Sequence, residues 1–373
     1  MPLRPISAVV LVAGEGSRMR SPLPKPLHRL CGRPMVIHLL NALAELPIDR
    51  VVLVVGHGAP EVQRVVSAEA PTQLKIDFVE QVQQLGTGDA AAVALTGFPP
   101  TADLEDGDLI VLPADMPLVR PATLAALLRV HRERDAGATL LTAKIDDPTG
   151  YGRVVRNKNG DVARIVEESD ASDEERAITE INTSIYCFRH SVLAPALRRL
   201  SPNNSKGEYY LTDTIEVLAG AGYPVISMVV SDTTEAAGVN DRAQLAAAEA
   251  ELRGRINERW MRRGVTMTDP DATYVATSVE LAEDVTILPG TILEGSTSIG
   301  PGAAVGPRTR LVDCEVGAGA IVEETTAKSA TIGARAVVGP YVVLHPGDGV
   351  ASGVRLGPTV RSDAGLPPDS ERG

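Results

Sequence analysis

From Val285 the chain reads VTILPG TILEGS TSIGPG AAVGPR TRLVDC, and an aliphatic residue returns every six positions at Ile287, Leu293, Ile299, Val305 and Leu311. The register slips by one residue at Val316 and is interrupted around EETTAKSA. It resumes at Ile332, Val338, Leu344, Val350 and Leu356. A six-residue period is too short for leucine-rich repeats, and so many glycines and prolines exclude a coiled coil. One inward aliphatic side chain per short strand is the mark of a β-helix, in which each coil buries its face on the next. Such coils leave their sides open, so a homo-trimer packed along those sides is expected.

Upstream the period differs. To about Val230, short apolar runs (SAVVLV, RVVLVVG, KIDFVEQ, DLIVLPAD, ATLLTAKI, NTSIYCF, PVISMVV) alternate with amphipathic ones. In PMVIHLLNALAEL, Met35, Leu39 and Leu43 share a helical face, as do Val36 and Leu40. Continuous apolar strands between helices predict a mostly parallel α/β sheet covered on both faces, with ligands at the carboxyl ends of the strands. Between the two patterns, DRAQLAAAEAELRGRINERWMRR (241 to 263) is alanine- and charge-rich without proline and predicts one connecting helix. The expected organisation is a domain over 1–230, a linker helix region over 231–263, a β-helix over 264–362 and a disordered polar tail over 363–373.

A net charge of −12 argues against an extended nucleic-acid interface. No segment reaches membrane-spanning length, and the N-terminal apolar run from Ile6 to Ala13 reads as a buried strand. Cys31, Cys187 and Cys314 have no metal-ligand or disulfide spacing, so a cytoplasmic location is expected.

The stretch VVLVAGEGSRMRSPLPKPL (9 to 27) follows the first strand candidate. A dinucleotide fingerprint needs a third glycine, and after Gly14 and Gly16 come Ser17, Arg18 and Met19 instead. No acid closes the next strand to hold a ribose, and the Gly-Lys-Ser/Thr of a P-loop is absent. The glycines let backbone N–H groups approach an anion, while Arg18 and Lys25 add full positive charge. An ordinary strand-to-helix turn with solvated arginines is the alternative on this loop alone.

LVAGEGSRMRSPLPKPLH resembles the signature of sugar-1-phosphate nucleotidylyltransferases, above all N-acetylglucosamine-1-phosphate uridyltransferases. QLGTGDA, DMPL, PTGYGRVV, IVEESDASDEERAITEINTSI, NNSKGEYYLTD and EAAGVNDRAQL follow in the family's order, over residues 7 to 250. The hexapeptide repeats also match, because bifunctional members carry a left-handed β-helix. The resemblance implies a Rossmann-like mixed sheet followed by that helix. It also implies transfer of UMP from UTP to N-acetyl-α-D-glucosamine 1-phosphate with loss of pyrophosphate, a reaction of positioning and electrostatics.

By the same resemblance, Leu11, Val12, Ala13, Gly14 and Ala114 hold the nucleotide, and Arg18 and Lys25 are the catalytic cations. Gln81, Gly86 and Thr87 read the uracil edge. Gly152, Glu167 and Asn182 bind the sugar, and Asp115 with Asn240 holds Mg²⁺. Ser17 for threonine and Pro113-Ala114 before the acid depart from the pattern without removing a charged or metal-binding group. In the β-helix the family's acetyltransferase arginine is His345, the lysine-rich segment reads PTVRSD, and the segment with the general-base histidine is absent, so acetyltransferase activity is not expected. The rival expectations are the same chemistry on another pair, such as glucose 1-phosphate with UTP or dTTP, or a non-catalytic nucleotide-sugar scaffold.

Overall fold

The computed structural model describes residues 4–99 and 107–357. The expected tail over 363–373 lies outside the described residues. Two compact units are present, Met1–Ala248 and Glu249–Gly373.

The first unit is built on one sheet: β1 (Ile6–Leu11), β2 (Arg50–Val55), β3 (Ile76–Glu80), β4 (Asp108–Pro113), β5 (Ala138–Lys144), β6 (Arg153–Arg156), β7 (Val162–Val166), β8 (Glu180–Arg189) and β9 (Val225–Val229). The order is β9-β5-β8-β4-β1-β2-β3, with the hairpin of β6 and β7 joined to β8. Strands β3, β2, β1 and β4 are parallel, whereas β8 runs antiparallel between β4 and β5. The sheet is therefore mixed, and its parallel character is confined to one side and to the β5–β9 pair. Apolar runs alone carry no strand direction, so the sequence did not distinguish β8 from its neighbours.

Both faces are covered, which explains the unbroken apolar strands. Along β1, Ala8 and Val10 pack into one core and Val9 into the other. Helices α1 (Met35–Ala44), α2 (Ala59–Glu69), α3 (Thr87–Leu95), α4 (Pro121–Glu133), α5 (His190–Leu197) and α6 (Asp213–Gly220) supply the covering residues. On α1, Met35, Val36, Leu39, Leu40 and Leu43 are all fully buried. Each such side chain contributes about 1.5–3 kcal/mol relative to exposure. Helix α7 (Arg242–Arg262) is continuous, as its composition predicts.

The second unit is a left-handed parallel β-helix of three sheets, with six, five and five short strands. Coil follows coil in register: Ile287 pairs with Val305, Val305 with Val322 and Val322 with Val338. The repeat is not broken at EETTAKSA, contrary to the sequence pattern. Thr325–Lys328 is a strand, and Ala327, 1% exposed, takes the inward place against Leu311. An alanine fills the inward position that larger aliphatic residues hold in the other coils, so the coil continues without the aliphatic pattern. The helix also starts before the legible repeats, with Met267, Val275 and Leu281 inward.

Threonines interleave with the aliphatic stack. Thr273, Thr291, Thr297 and Thr325 are buried, and their hydroxyls donate to the corner carbonyls of Asp269, Leu288, Glu294 and Glu323 at 2.7 Å. Buried corners thus keep their backbone acceptors paired. Asn257 of α7 donates from Nδ2 to the carbonyls of Pro270 (2.8 Å) and Thr273 (2.9 Å), capping the first coil. Gly300 and Gly317 admit no side chain. A Cβ on Gly317 would lie 2.5 Å from the Ala334 nitrogen in the next coil, and one on Gly300 2.8 Å from the Ala318 nitrogen.

Candidate active site

Because β1, β3 and β4 are parallel, their carboxyl ends meet at one sheet edge. Leu11 to Gly14 leave β1 there, Gln81 follows β3, and Ala114 and Asp115 follow β4. The Ala114 N–H donates to the Leu11 carbonyl (3.0 Å), extending the ladder into the turn. β8 is antiparallel, so its first residues arrive at the same edge, as does Glu167 just after β7. A cavity of about 440 Å³ opens between these ends. Leu11, Val12, Ala13, Gly14, Lys25, Gln81, Gly86, Thr87, Ala114, Asp115 and Glu167 line it.

At one end sit two cations and two oxygens. Lys25 Nζ is paired with the Asp115 carboxylate and donates to Asn240 Oδ1 at 2.8 Å. Arg18 donates to the same Asn240 oxygen at 2.8 Å. Residues from three distant stretches of chain therefore converge on one point. Gly16 makes this possible: its φ is +63°, and a Cβ there would stand 2.6 Å from the Lys25 Cβ. Asp115 and Asn240 are hard oxygen donors already gathered around a positive charge, so the pair fits a divalent cation of the oxygen-preferring kind. Arg18 and Asn240 do not line the cavity itself and are joined to it through Lys25.

The Gln81 to Thr87 loop forms a second part of the site, with Gln81, Gln84, Gly86 and Thr87 on the cavity wall. Gln81 is 5% exposed, and its Nε2 donates to the Asp89 carboxylate (2.7 Å) and the Gly86 carbonyl (3.1 Å). Both partners only accept, so the amide end between them must be the NH₂ group. Thr87 Oγ1 accepts from the Leu211 N–H at 3.0 Å, which leaves its hydroxyl proton available to donate. Gly86 has φ +113°, and a Cβ would meet the Tyr209 carbonyl oxygen at 2.5 Å. The loop is thus clamped to the 209–211 segment, with Tyr209 N–H to Leu85 O at 2.8 Å and Gly88 N–H to Tyr209 O at 2.7 Å.

The third region centres on Glu167. Burial pushes its carboxyl up, opposed by a hydrogen bond from Thr212 Oγ1 at 3.0 Å and by the nearby Lys206 charge. Burial, reinforced by the Glu167, Glu216 and Asp170 charges, raises neighbouring Asp213 to about 6. Asn182 is buried and lies off the cavity wall: its Nδ2 donates to the Tyr186 hydroxyl (2.7 Å), and Tyr186 does line the cavity. Gly152 is also off the wall. Its carbonyl accepts from the Asn182 N–H at 2.8 Å, and a Cβ there would stand 3.6 Å from Glu167 Oε2. Thr212, Tyr186, Lys206 and Asp89 were not singled out from sequence. Asp89 stood in plain view inside QLGTGDA, but only the fold shows what it touches.

The family model for a MobA-like NTP transferase domain matches residues 8–217. Proteins named bifunctional protein GlmU are similar over nearly the whole chain. The one from Halalkalibacterium halodurans is 42% identical, with 94% of this chain and 75% of the relative covered. The one from Desulfitobacterium hafniense is 43% identical over 94% and 75%, and that from Rhodococcus opacus 44% over 95% and 71%. The order of strands, the cavity at their carboxyl edge and these similarities together place the chain in the GlmU family, with a MobA-like NTP transferase domain as its first unit.

Proposed function

We propose that this chain is a sugar-1-phosphate nucleotidyltransferase that transfers UMP from UTP to N-acetyl-α-D-glucosamine 1-phosphate and releases pyrophosphate. One observation carries the reading: groups of three chemistries line one cavity of about 440 Å³. A clamped loop with Gln81 and Thr87 suits the edge of a flat base. Lys25 puts positive charge where phosphates pass, with Arg18 held beside it through Asn240. Glu167 and Thr212 offer hydrogen bonds suited to sugar hydroxyls.

A phosphate oxygen of the sugar phosphate attacks the α-phosphorus in line, and pyrophosphate leaves from the opposite side. The backbone from Leu11 to Gly14 holds the nucleotide, and Gly14 keeps that wall free of a side chain; a Cβ there meets nothing within 4 Å. Lys25 and Arg18 stabilise charge that grows on the phosphates as the bond breaks. Glu167 orients the sugar directly, while Asn182 acts from behind the wall through Tyr186, and Gly152 through its bond to the Asn182 N–H. Asp115 and Asn240 would hold a divalent cation, which we take to be Mg²⁺; when bound it neutralises phosphate charge. We further propose a homo-trimer packed along the sides of the β-helix, where Tyr341 and Val343 are 76% and 61% exposed. We also propose a cytoplasmic location, where UTP is at hand for the reaction.

Pyrophosphate release across a matrix of nucleoside triphosphates and sugar 1-phosphates tests the assignment. The pair of UTP with N-acetylglucosamine 1-phosphate should have the highest kcat/KM. A better pair elsewhere in the matrix replaces the substrate assignment, and no release from any pair removes the enzymatic one. Light scattering decides the trimer.

A further inference from the structure

We propose that Asp89 is the positioning residue that sets pyrimidine choice, by locking the Gln81 amide so that only an acceptor is left for the base. The proposal rests on the uridine reading and deepens it. Gln81 lines the cavity, yet both its protons are spent on Asp89 and on the Gly86 carbonyl. Among the described residues no partner takes its Oε1, so the side chain has an acceptor and nothing else to offer a ligand. Uracil carries one donor on its pairing edge, N3–H, and an acceptor-only side chain can satisfy uracil only there. Cytosine presents a bare N3 at the same place, lone pair against lone pair.

A glutamine on its own does not discriminate, because an amide rotated by half a turn presents N–H instead of C=O. Gly86 O opposes that rotation with a single neutral acceptor. Asp89 opposes it more strongly: its carboxylate would then face the amide oxygen, and a charge-assisted bond of 2.7 Å would be lost. Asp89 sits in the first turn of α3, and the backbone there is held by the Gly88 bond to Tyr209, so the carboxylate is delivered on a rigid element. It acts through Gln81, so it is no catalytic residue.

The test is nucleotide selectivity of full-length Asp89→Asn, read as kcat/KM with UTP, dTTP and CTP at fixed sugar 1-phosphate and divalent metal. Asparagine is isosteric but accepts or donates equally, so the Gln81 amide is free to turn. The UTP to CTP ratio should fall about tenfold or more, the worth of one hydrogen bond changing sign. The UTP to dTTP ratio should stay within about twofold, since both bases carry N3–H. Most of the change should lie in KM, and Asp89→Glu, still acceptor-only, should restore selectivity. A wild type that uses UTP and CTP alike overturns the uridine reading and the proposal together. A selective wild type whose Asp89→Asn keeps its selectivity, or loses activity equally with all three nucleotides, overturns the proposal alone. Should Asp89→Asn prove unfolded by its melting curve, Gln81→Leu decides. Removing the acceptor must then lower UTP and dTTP efficiency together and spare CTP, and an equal loss with CTP refutes the locked-amide account.

Discussion

Lys25 occupies the place between Asp115 and Asn240, and Lys25→Met makes three effects separable. The side chains of Lys25 and Asp115 are only 14% and 24% exposed, so the variant leaves a carboxylate with little water and without its paired cation. Breaking a fully buried pair costs about 3–5 kcal/mol, and partial exposure here brings that to roughly 1–3 kcal/mol. For a unit of this size, each kcal/mol shifts Tm by about 2–4 °C. The first unit of Lys25→Met should therefore melt roughly 2–12 °C lower. Turnover loses the charge placed on the phosphates, and removal of one such group costs about 10²–10³ in kcat. The third effect has the opposite sign. Lys25 competes with a metal for Asp115 and Asn240, so the variant should bind a divalent cation more tightly without nucleotide, and added cation should recover part of the lost Tm. Calorimetry with and without MgCl₂, alongside pyrophosphate release at saturating UTP, measures all three. A kcat within threefold of wild type, or a melting deficit indifferent to the cation, would refute the reasoning.

Three further outcomes follow from particular contacts. His131 is fully buried, and desolvation lowers it to about 4, with Arg189, Arg4 and Arg132 acting the same way against the pull of Asp108. Its folded value lies below the unfolded 6.5, so the unfolded chain takes up the proton first and stability falls as pH drops from about 6.5 toward 4. The loss reaches on the order of 3 kcal/mol, and urea melts of His131→Gln should show a flatter profile in that window. Glu167→Gln should raise KM for the sugar phosphate about tenfold or more while leaving KM for UTP within about twofold. Because burial raises the Glu167 carboxyl, it should also remove the acid limb from the sugar phosphate's kcat/KM profile; an unchanged limb assigns that limb elsewhere. Gly317→Ala drives a Cβ into the backbone of the next coil, 2.5 Å from Ala334 N, and should destabilise the second unit by about 1–3 kcal/mol in a thermal melt.

Much of the fold was legible because it rests on local periodicity. The α1 stripe and the six-residue repeat each state which side chains go inward, and the structure places them there. What escaped was whatever local pattern does not encode. The direction of β8 depends on which neighbours it pairs with. Ala327 is too small and too ordinary to announce an inward position, although its coil is as regular as the others. The site divides along the same line. Glycines, Arg18 and Lys25 stand together in one stretch and read as an anion loop from their chemistry. Asn240 joins them from a stretch more than two hundred residues away; composition and spacing do not signal that meeting, and the sequence pointed to it only through the resemblance carried by EAAGVNDRAQL.

The sequence by itself determined the two kinds of architecture, the polarity of the first loop and, through ordered motifs, the family. These follow from period, composition and spacing, which are properties of a linear chain. Only the tertiary structure decided which groups touch. It set Lys25 between two oxygens, directed the Asn182 amide to Tyr186 and turned the Gln81 amide by means of Asp89. Hydrogen bonding acts across about 3 Å and depends on direction, so it is settled where distant segments meet. The choice of a base, the most specific property we ascribe to this protein, is made at that scale.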